Sequence, residues 1–347
     1  MTSVTSSLNV TMWSNFQDDE NYSIRMIIKT FTILISILGT LGNGFTIAAI
    51  VRGKHYMQAC NIFILNLNVC NFLHCLICLP LLATQTFDDI WTYNLPLCSA
   101  VSYLIFCTLG IELWALIFIT INRYYCVVNF PRYLEIYGNS KIIAAQIILT
   151  WTFYPIIFLL PLSGLWSSFQ YSHLKLICHP FNDYQCSGFC IFVFTIALVT
   201  TVPTIIYCYA SIIINYIKIR KRVDFTRRKQ SLSRINSNCR HGLNAVSTVT
   251  TIVTSDSGAT ASYETLRSRL ELRMAFIILA ILTVFSLGRL PFIVLYLYDP
   301  LMTRVSPLTH TVIIYMGANS NWINPIIYSL LNTQIRDTLK KFLFCHE

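Results

Sequence analysis

Charge is what this sequence has little of. Asp, Glu, Lys and Arg together make up 12% of its 347 residues, against roughly 25% in soluble domains, and the mean hydropathy is +0.58. A water-soluble globular domain is thereby excluded, and the chain is expected in a bilayer. Residues 1–25 also lack an apolar run suited to a signal peptide, so the first apolar span is expected to direct its own insertion. The apolar spans show neither the inverted repeats nor the broken Gly-rich segments that would favour a channel or transporter, which is the alternative reading. No catalytic constellation is paired within them, so no enzyme activity and no cofactor are expected.

What is present is a set of seven apolar runs, near 26–51, 60–83, 98–126, 141–164, 188–217, 270–298 and 308–331. Each is long enough for a helix across a hydrocarbon core about 30 Å thick. The fold class is therefore an all-α membrane protein, and an odd number of spans places the termini on opposite sides. Of the 25 lysines and arginines, 20 lie in the segments 52–59, 127–141 and 218–273, after 331, or at Arg123 at the foot of the third span. Arg25, Lys29, Lys175 and Arg304 lie on the other side. The basic side is expected to be cytoplasmic and the amino terminus extracellular. The net charge of +10 then reads as topology and attraction to anionic lipid, with no nucleic-acid partner expected.

The chain divides into an amino tail at 1–25, a membrane domain at 26–331 and a cytoplasmic tail at 332–347. The sequons at Asn9 and Asn21 both fall in the amino tail and point to glycosylation there. Thirteen cysteines cannot be paired from sequence alone. Cys98 at the outer end of the third span and Cys178 after the fourth both lie in the oxidising compartment, which makes them the best disulfide candidates. The segment 218–269 opens with KIRKRVDFTRRK, passes through STVTTIVTSDSGATAS and closes in basic residues. Its middle cannot bury a core and is expected to be largely disordered.

A series of motifs then accumulates in order: GN at Gly42–Asn43, LNL at 65–67, Trp91 before Cys98, NRY at 122–124, Trp151 and Pro161, Phe285 and Pro291, and NPIIY at 324–328. The amphipathic NTQIRDTLKKFLFC follows. Over essentially all of its spans the chain resembles a rhodopsin-like (class A) G-protein-coupled receptor with a short eighth helix. WSSFQYSHLKLICHPF, with NRY and NPIIY, is similar to the melatonin-receptor and Moody-like branch. The resemblance implies a plasma-membrane receptor that activates a heterotrimeric G protein by outward movement of the sixth span, with arrestin and kinases acting at the cytoplasmic loop.

The motifs have physical readings of their own. Asn43, Asn66 and Asn324 are amides inside lipid-spanning helices and should bond across helices, as structural glue or as parts of a switch. Pro291 and Pro325 remove backbone bonds and permit bends. Arg123 has Asn122 where the family has an aspartate. The resemblance pairs Arg123 with Glu271, twenty residues before Pro291, in a resting tether; the alternative is a solvated Glu271. Tyr328 closes the same switch set. Cys345, beside RDTLKKFLF, is a palmitoylation candidate, with a plain thiol as the alternative.

Two charges remain in the membrane interior, Glu112 and Arg289, and each alone would cost at least about 2.5–3.5 kcal/mol. Glu112 lies eleven residues, about 16 Å, from Arg123, and Asn71 lies at similar depth in the second span. The family normally has an aspartate at the place of Asn71, a small hydroxyl at that of Glu112 and a tryptophan at that of Arg289. A buried Glu112–Arg289 pair is expected where the family holds sodium; the alternative is an outward, snorkelling Arg289. No metal is expected. The resemblance places the ligand among Ile105, Phe106, Leu109, Phe292, Tyr296, His310 and Ile314. Ile105 replaces the amine receptors' aspartate, and Ala318 stands where opsins carry the retinal lysine. A hydrophobic small molecule or lipid is expected, or a peptide given Asp18, Asp19 and Glu20. The spacing of Tyr207 and Tyr209 from Pro203 departs from the family pattern and leaves the fifth span without assigned site residues.

Overall fold

The computed structural model describes residues 2–85, 95–172, 177–180, 184–240, 253–299, 304–318 and 320–344. The side chains of Asn9, Asn21, Glu271 and Tyr328, and the whole of Trp91 and Cys345, lie outside the described residues. Among the described residues, six helices are long and apolar enough to cross a bilayer: Tyr22–Arg52, Ala59–Thr84, Leu95–Val128, Ser140–Leu162, Gly188–Arg222 and Ala275–Tyr298. The seventh crossing is made in pieces, Pro307–Ala318, a tight turn at Ser320–Trp322 and Ile323–Leu331. A short eighth helix, Thr333–Phe344, ends the bundle.

The irregular turns occur where proline removes a donor. Pro325 has no N–H for the carbonyl of Asn321 four residues earlier. The Asn43 amide takes that place, donating to Asn321 O at 3.4 Å and to Gly39 O at 2.8 Å. In the second span a π turn at His74–Cys78 precedes Pro80, and inside it the Cys75 carbonyl accepts from the Ser36 hydroxyl at 2.7 Å. Both freed backbone oxygens, on residues buried in the bundle, are thus satisfied from the first span, as a helix without access to water requires. Glycine makes that approach close enough. A Cβ on Gly39 would stand 2.4 Å from Cys75 Sγ, and one on Gly42 would stand 3.0 Å from Pro325 Cβ. Asn66 serves the other side, accepting from Trp151 Nε1 at 2.7 Å and so joining the second span to the fourth.

One face of the bundle carries a two-stranded antiparallel hairpin, β1 (Gln170–Ser172) and β2 (Ile177–His179), with Tyr171 opposite Cys178. Cys178 is disulfide-bonded to Cys98 at the head of the third span. Its carbonyl accepts from Ser102 at 2.6 Å and its N–H donates to Gln85 Oε1 at 3.0 Å. Gln85 also accepts at its backbone oxygen from the Tyr171 hydroxyl at 2.8 Å. The strand is therefore held flat over the helix ends, and Ile177, Cys178 and His179 are buried. On the opposite, basic face, Phe130–Tyr137 forms a short helix capped by Asn129, and Tyr137 packs edge-on against Phe63. The His55 ring meets Thr338 of the eighth helix at 3.0 Å.

The disulfide gives a direct test. Losing a native disulfide typically removes about 2–5 kcal/mol, so Cys98→Ala and Cys178→Ala should each lower surface expression. The double variant should be no worse than either single, because the same bond is lost in all three. Additive losses, measured by flow cytometry of the surface-labelled protein, would contradict the pairing.

Candidate functional site

Glu112 in the third span and Arg289 in the sixth are 1% and 6% exposed. Arg289 Nη2 donates to Glu112 Oε2 at 2.9 Å and to Asn321 Oδ1 at 2.9 Å, so a single nitrogen joins the third, sixth and seventh spans. The Asn324 amide also faces Glu112. The Phe285 ring, one helical turn before Arg289, lies 5.5 Å from the guanidinium carbon and supplies a cation–π face. Arg289 Nε is buried with no hydrogen-bond acceptor among the described residues. Arg289 points inward rather than snorkelling.

Of the other polar residues singled out, Asn43 bonds to the seventh span as described above. Asn71 is not drawn into the cluster. It is buried, and neither amide atom has a partner among the described residues. Sequence reasoning passed over His74, the residue that does connect here. Its Nε2 lies 3.1 Å from the Ala318 carbonyl and its Nδ1 lies 2.7 Å from Thr108 Oγ1. A carbonyl can only accept, so in the neutral ring Nε2 carries the proton and Nδ1 accepts from the Thr108 hydroxyl. The imidazole thus ties the second span to the third and seventh beside the ion pair. Its place as the one histidine of the second span was the available signal.

Among the described residues, two cavities adjoin Arg289. The smaller, about 20 Å³, is lined by Ile105, Phe106, Leu109, Phe292, Tyr296 and Ile314, together with Ile177 of β2 and Ala318. His310, the seventh residue expected there, is not among them. Asp299 at the end of the sixth span accepts from Arg304 N at 3.0 Å and Val305 N at 2.8 Å, and His310 Nε2 lies 3.2 Å from the same carboxylate oxygen. The buried histidine is directed at this carboxylate, which also takes up backbone donors ahead of the seventh span, and so it does not line the cavity.

The larger cavity, about 140 Å³, extends between the third, fourth, fifth and sixth spans and is walled by Phe106, Tyr154, Phe158, Phe194, Phe285 and Phe292, among others. Tyr154 and Phe194 were missed because no register had been assigned to the fifth span and no ligand role to the fourth. Tyr154 reaches the cavity only because residue 110 is glycine. A Cβ there would fall 2.1 Å from the Tyr154 ring.

At the basic end, Arg123 and Asn122 are buried. Tyr209 faces inward and its hydroxyl donates to the Ala275 carbonyl at 3.3 Å, closing the fifth span onto the sixth. Tyr207 faces outward, 61% exposed, with its hydroxyl 3.2 Å from that of Tyr124. Asn215 donates to the Val127 carbonyl at 2.9 Å. The side chains of Glu271 and Tyr328 lie outside the described residues.

Residues 42–328 match the family described as 7 transmembrane receptor (rhodopsin family). The chain is 25% identical to the G-protein coupled receptor Moody of Drosophila melanogaster over 351 residues, covering 93% of this chain and 52% of that protein. It is 30% identical to galanin receptor type 2 of Mus musculus over 186 residues, covering 52% of this chain and 49% of that protein. The chain thus spans about half the length of the curated relatives it matches. Among solved structures it superposes on squid rhodopsin with a TM-score of 0.74 at 19% identity, over 94% of this chain and 86% of that one, a likeness of fold.

Two further predictions follow from the geometry. Removing one member of a buried ion pair costs about 3–5 kcal/mol. Glu112→Gln and Arg289→Trp should therefore each express poorly or show altered basal signalling, while Glu112→Ser with Arg289→Trp and Asn71→Asp should recover expression. Equal yields for all the variants and the unmodified receptor would sink this account. Gly110→Ala should displace Tyr154 and lower thermal stability by an overpacking cost of about 1–3 kcal/mol, and an unchanged melting temperature would contradict it.

Proposed function

This chain belongs to the rhodopsin family of seven-transmembrane receptors, and from that premise we propose that it is a plasma-membrane receptor for a hydrophobic small molecule, signalling through a heterotrimeric G protein. The observation that carries the proposal is that Arg289 belongs to two structures at once. It lines both cavities and it also holds Glu112 and Asn321. An occupant that shifts Arg289 must therefore change the relation of the third, sixth and seventh spans. Differential contact of this kind is what a ligand needs to bias a two-state element.

In this reading the hairpin face and the amino tail, with glycans on Asn9 and Asn21, are extracellular. The ligand set is Ile105, Phe106, Leu109, Phe292, Tyr296 and Ile314 with Arg289. The cavity walls are apolar and aromatic, and β2 is buried across the helix ends, features that suit a compact hydrophobic molecule better than a peptide. The names of the galanin and neuropeptide Y receptors make a peptide the second reading, and the acidic Asp18, Asp19 and Glu20 are what would favour it.

The basic face is the transducing face. The contact of Tyr209 with Ala275 corresponds to a closed, resting end, held also by an Arg123–Glu271 tether. Pro291 and the Asn324–Pro325–Tyr328 segment provide the bending points, and opening admits the G protein. Arrestin and kinases act at 218–269, and palmitoylated Cys345 anchors the eighth helix to the inner leaflet.

The test is nucleotide exchange by purified receptor in nanodiscs on a panel of G proteins, during a screen of hydrophobic ligands. Ligand-dependent acceleration on at least one G protein is expected, and none on any would overturn the proposal. Because Arg289 already supplies the positive charge beside Glu112, agonist affinity should change by less than about twofold when sodium replaces potassium at constant ionic strength, against the roughly 5–150-fold span of allosteric couplings. A sodium effect within that span would mean that the pair does not occupy the ion's place.

A further inference from the structure

The larger cavity beside Arg289 has an opening, and it faces lipid. Its wall on the side of the fifth and sixth spans is made by Val202, Ser286 and Leu290, and Val202 and Leu290 are 45% and 51% exposed. Ser286 and Leu290 also line a second apolar hollow of about 460 Å³, which runs between the same two spans past Ile205, Leu282, Pro291 and Val294. The two spaces thus meet at the same pair of side chains. Leu290 stands eight residues, about 12 Å, from the outer end of the sixth span at Tyr298, which places the opening within the hydrocarbon core rather than at the headgroups. Access from the hairpin face is obstructed by buried Ile177, Cys178 and Tyr296.

The polar groups at the inner end are few and specific. Arg289 Nε–H is buried, has no acceptor among the described residues, and belongs to a side chain that lines the cavity. The Thr201 hydroxyl oxygen, also buried and without a partner there, belongs to another lining residue. Since Glu112 already balances the guanidinium charge, an anionic head group would have to displace a carboxylate from a desolvated pair. An uncharged oxygen needs only the unused Nε–H.

We propose that the cavity takes an uncharged acyl lipid whose carbonyl oxygen accepts from Arg289 Nε and the Thr201 hydroxyl, and that the lipid arrives from the bilayer between the fifth and sixth spans, past Ser286 and Leu290. This inference rests on the hydrophobic-ligand reading above and adds its head-group chemistry and its route. The acyl tail occupies the outer hollow and the head group reaches the node that joins the third, sixth and seventh spans.

The experiment uses the full receptor in phospholipid nanodiscs with a photoactivatable palmitamide, and with palmitate and hexadecane as competitors. Palmitamide should bind saturably and label the fifth and sixth spans around Val202, Ser286 and Leu290. A hydrogen bond to a charged donor corresponds to roughly tenfold or more in affinity, so hexadecane and palmitate should each compete at least about tenfold more weakly. Arg289→Lys keeps a cation beside Glu112 but removes Nε–H, and should weaken palmitamide by about tenfold while leaving hexadecane unchanged. If that variant does not fold, Thr201→Val decides the same point, with an expected loss of about fivefold. Leu290→Trp should slow both association and dissociation while leaving Kd nearly constant, as a narrowed passage does. Palmitamide no better than hexadecane, palmitate tighter than palmitamide, labelling at the hairpin, or unchanged rates in Leu290→Trp would each overturn the inference. Ligand-dependent nucleotide exchange, measured on the same nanodiscs with hits from the hydrophobic screen, would still stand in those cases, which separates this failure from failure of the receptor assignment.

Discussion

Two opposite charges buried in a medium that solvates neither make a constraint that the rest of the bundle must accommodate. Glu112 and Arg289 lie on different spans, 177 residues apart in sequence, yet approach to 2.9 Å. Neither can be withdrawn alone, because an uncompensated charge in hydrocarbon is far more costly than the pair is favourable. The third and sixth spans are therefore held in register at one depth, and Asn321 draws the seventh to the same point through the same nitrogen. The resemblance places a tryptophan at position 289 in other family members, which would couple these helices by ring packing. Here the coupling is electrostatic and directional, so it depends on distances of tenths of an ångström.

Around that node the backbone is irregular, and the irregularities are compensated locally. Pro325 leaves the Asn321 carbonyl without an intrahelical donor, and Asn43 supplies one. The π turn ahead of Pro80 exposes the Cys75 carbonyl to Ser36, and brings His74 to where it reaches Ala318 and Thr108. The second and seventh spans, whose turns are irregular, are thus those whose freed carbonyls have partners on the first span, brought close by Gly39 and Gly42. Flexibility and satisfaction of polar groups come from the same few residues, which lets a span move without exposing unpaired backbone to lipid.

Much of this was legible in the sequence, for reasons that can be named. Spans of eighteen or more apolar residues have few soluble alternatives, and the seven runs correspond to the seven crossings, apart from the break at Ser320–Trp322 that Pro325 and its asparagines introduce. Glu112 and Arg289 stood out because charges are so rare in the spans. His74 did not stand out, since a neutral histidine leaves no mark in a count of charges and its partners lie 34 and 244 positions away. His310 was misplaced for a related reason. Position on a helix gave its depth, but only the fold shows Asp299 turning back onto it. The contributions of Tyr154 and Phe194 to the cavity depend on the rotation of the fourth and fifth helices about their axes, which a nearly uniform apolar sequence does not encode.

The position of Arg289 also bears on how a signal can travel. A cavity lined by aromatic rings transmits an occupant's shape poorly, because rings and methyl groups can repack with small losses spread over many contacts. A guanidinium cannot redistribute its demands in this way. Its charge has Glu112 as its countercharge, one of its nitrogens is shared between two spans, and its Nε–H is buried with no acceptor among the described residues. Any group that engages that N–H alters the orientation of the whole planar side chain, and with it the angles of two hydrogen bonds whose strength falls steeply with misalignment. Under the proposed function, a small displacement at the cavity would thereby become a change at the point where the third, sixth and seventh spans are joined. The sixth span carries Pro291 two residues farther on, so in the proposed function the helix that senses the ligand would also hold its own point of bending.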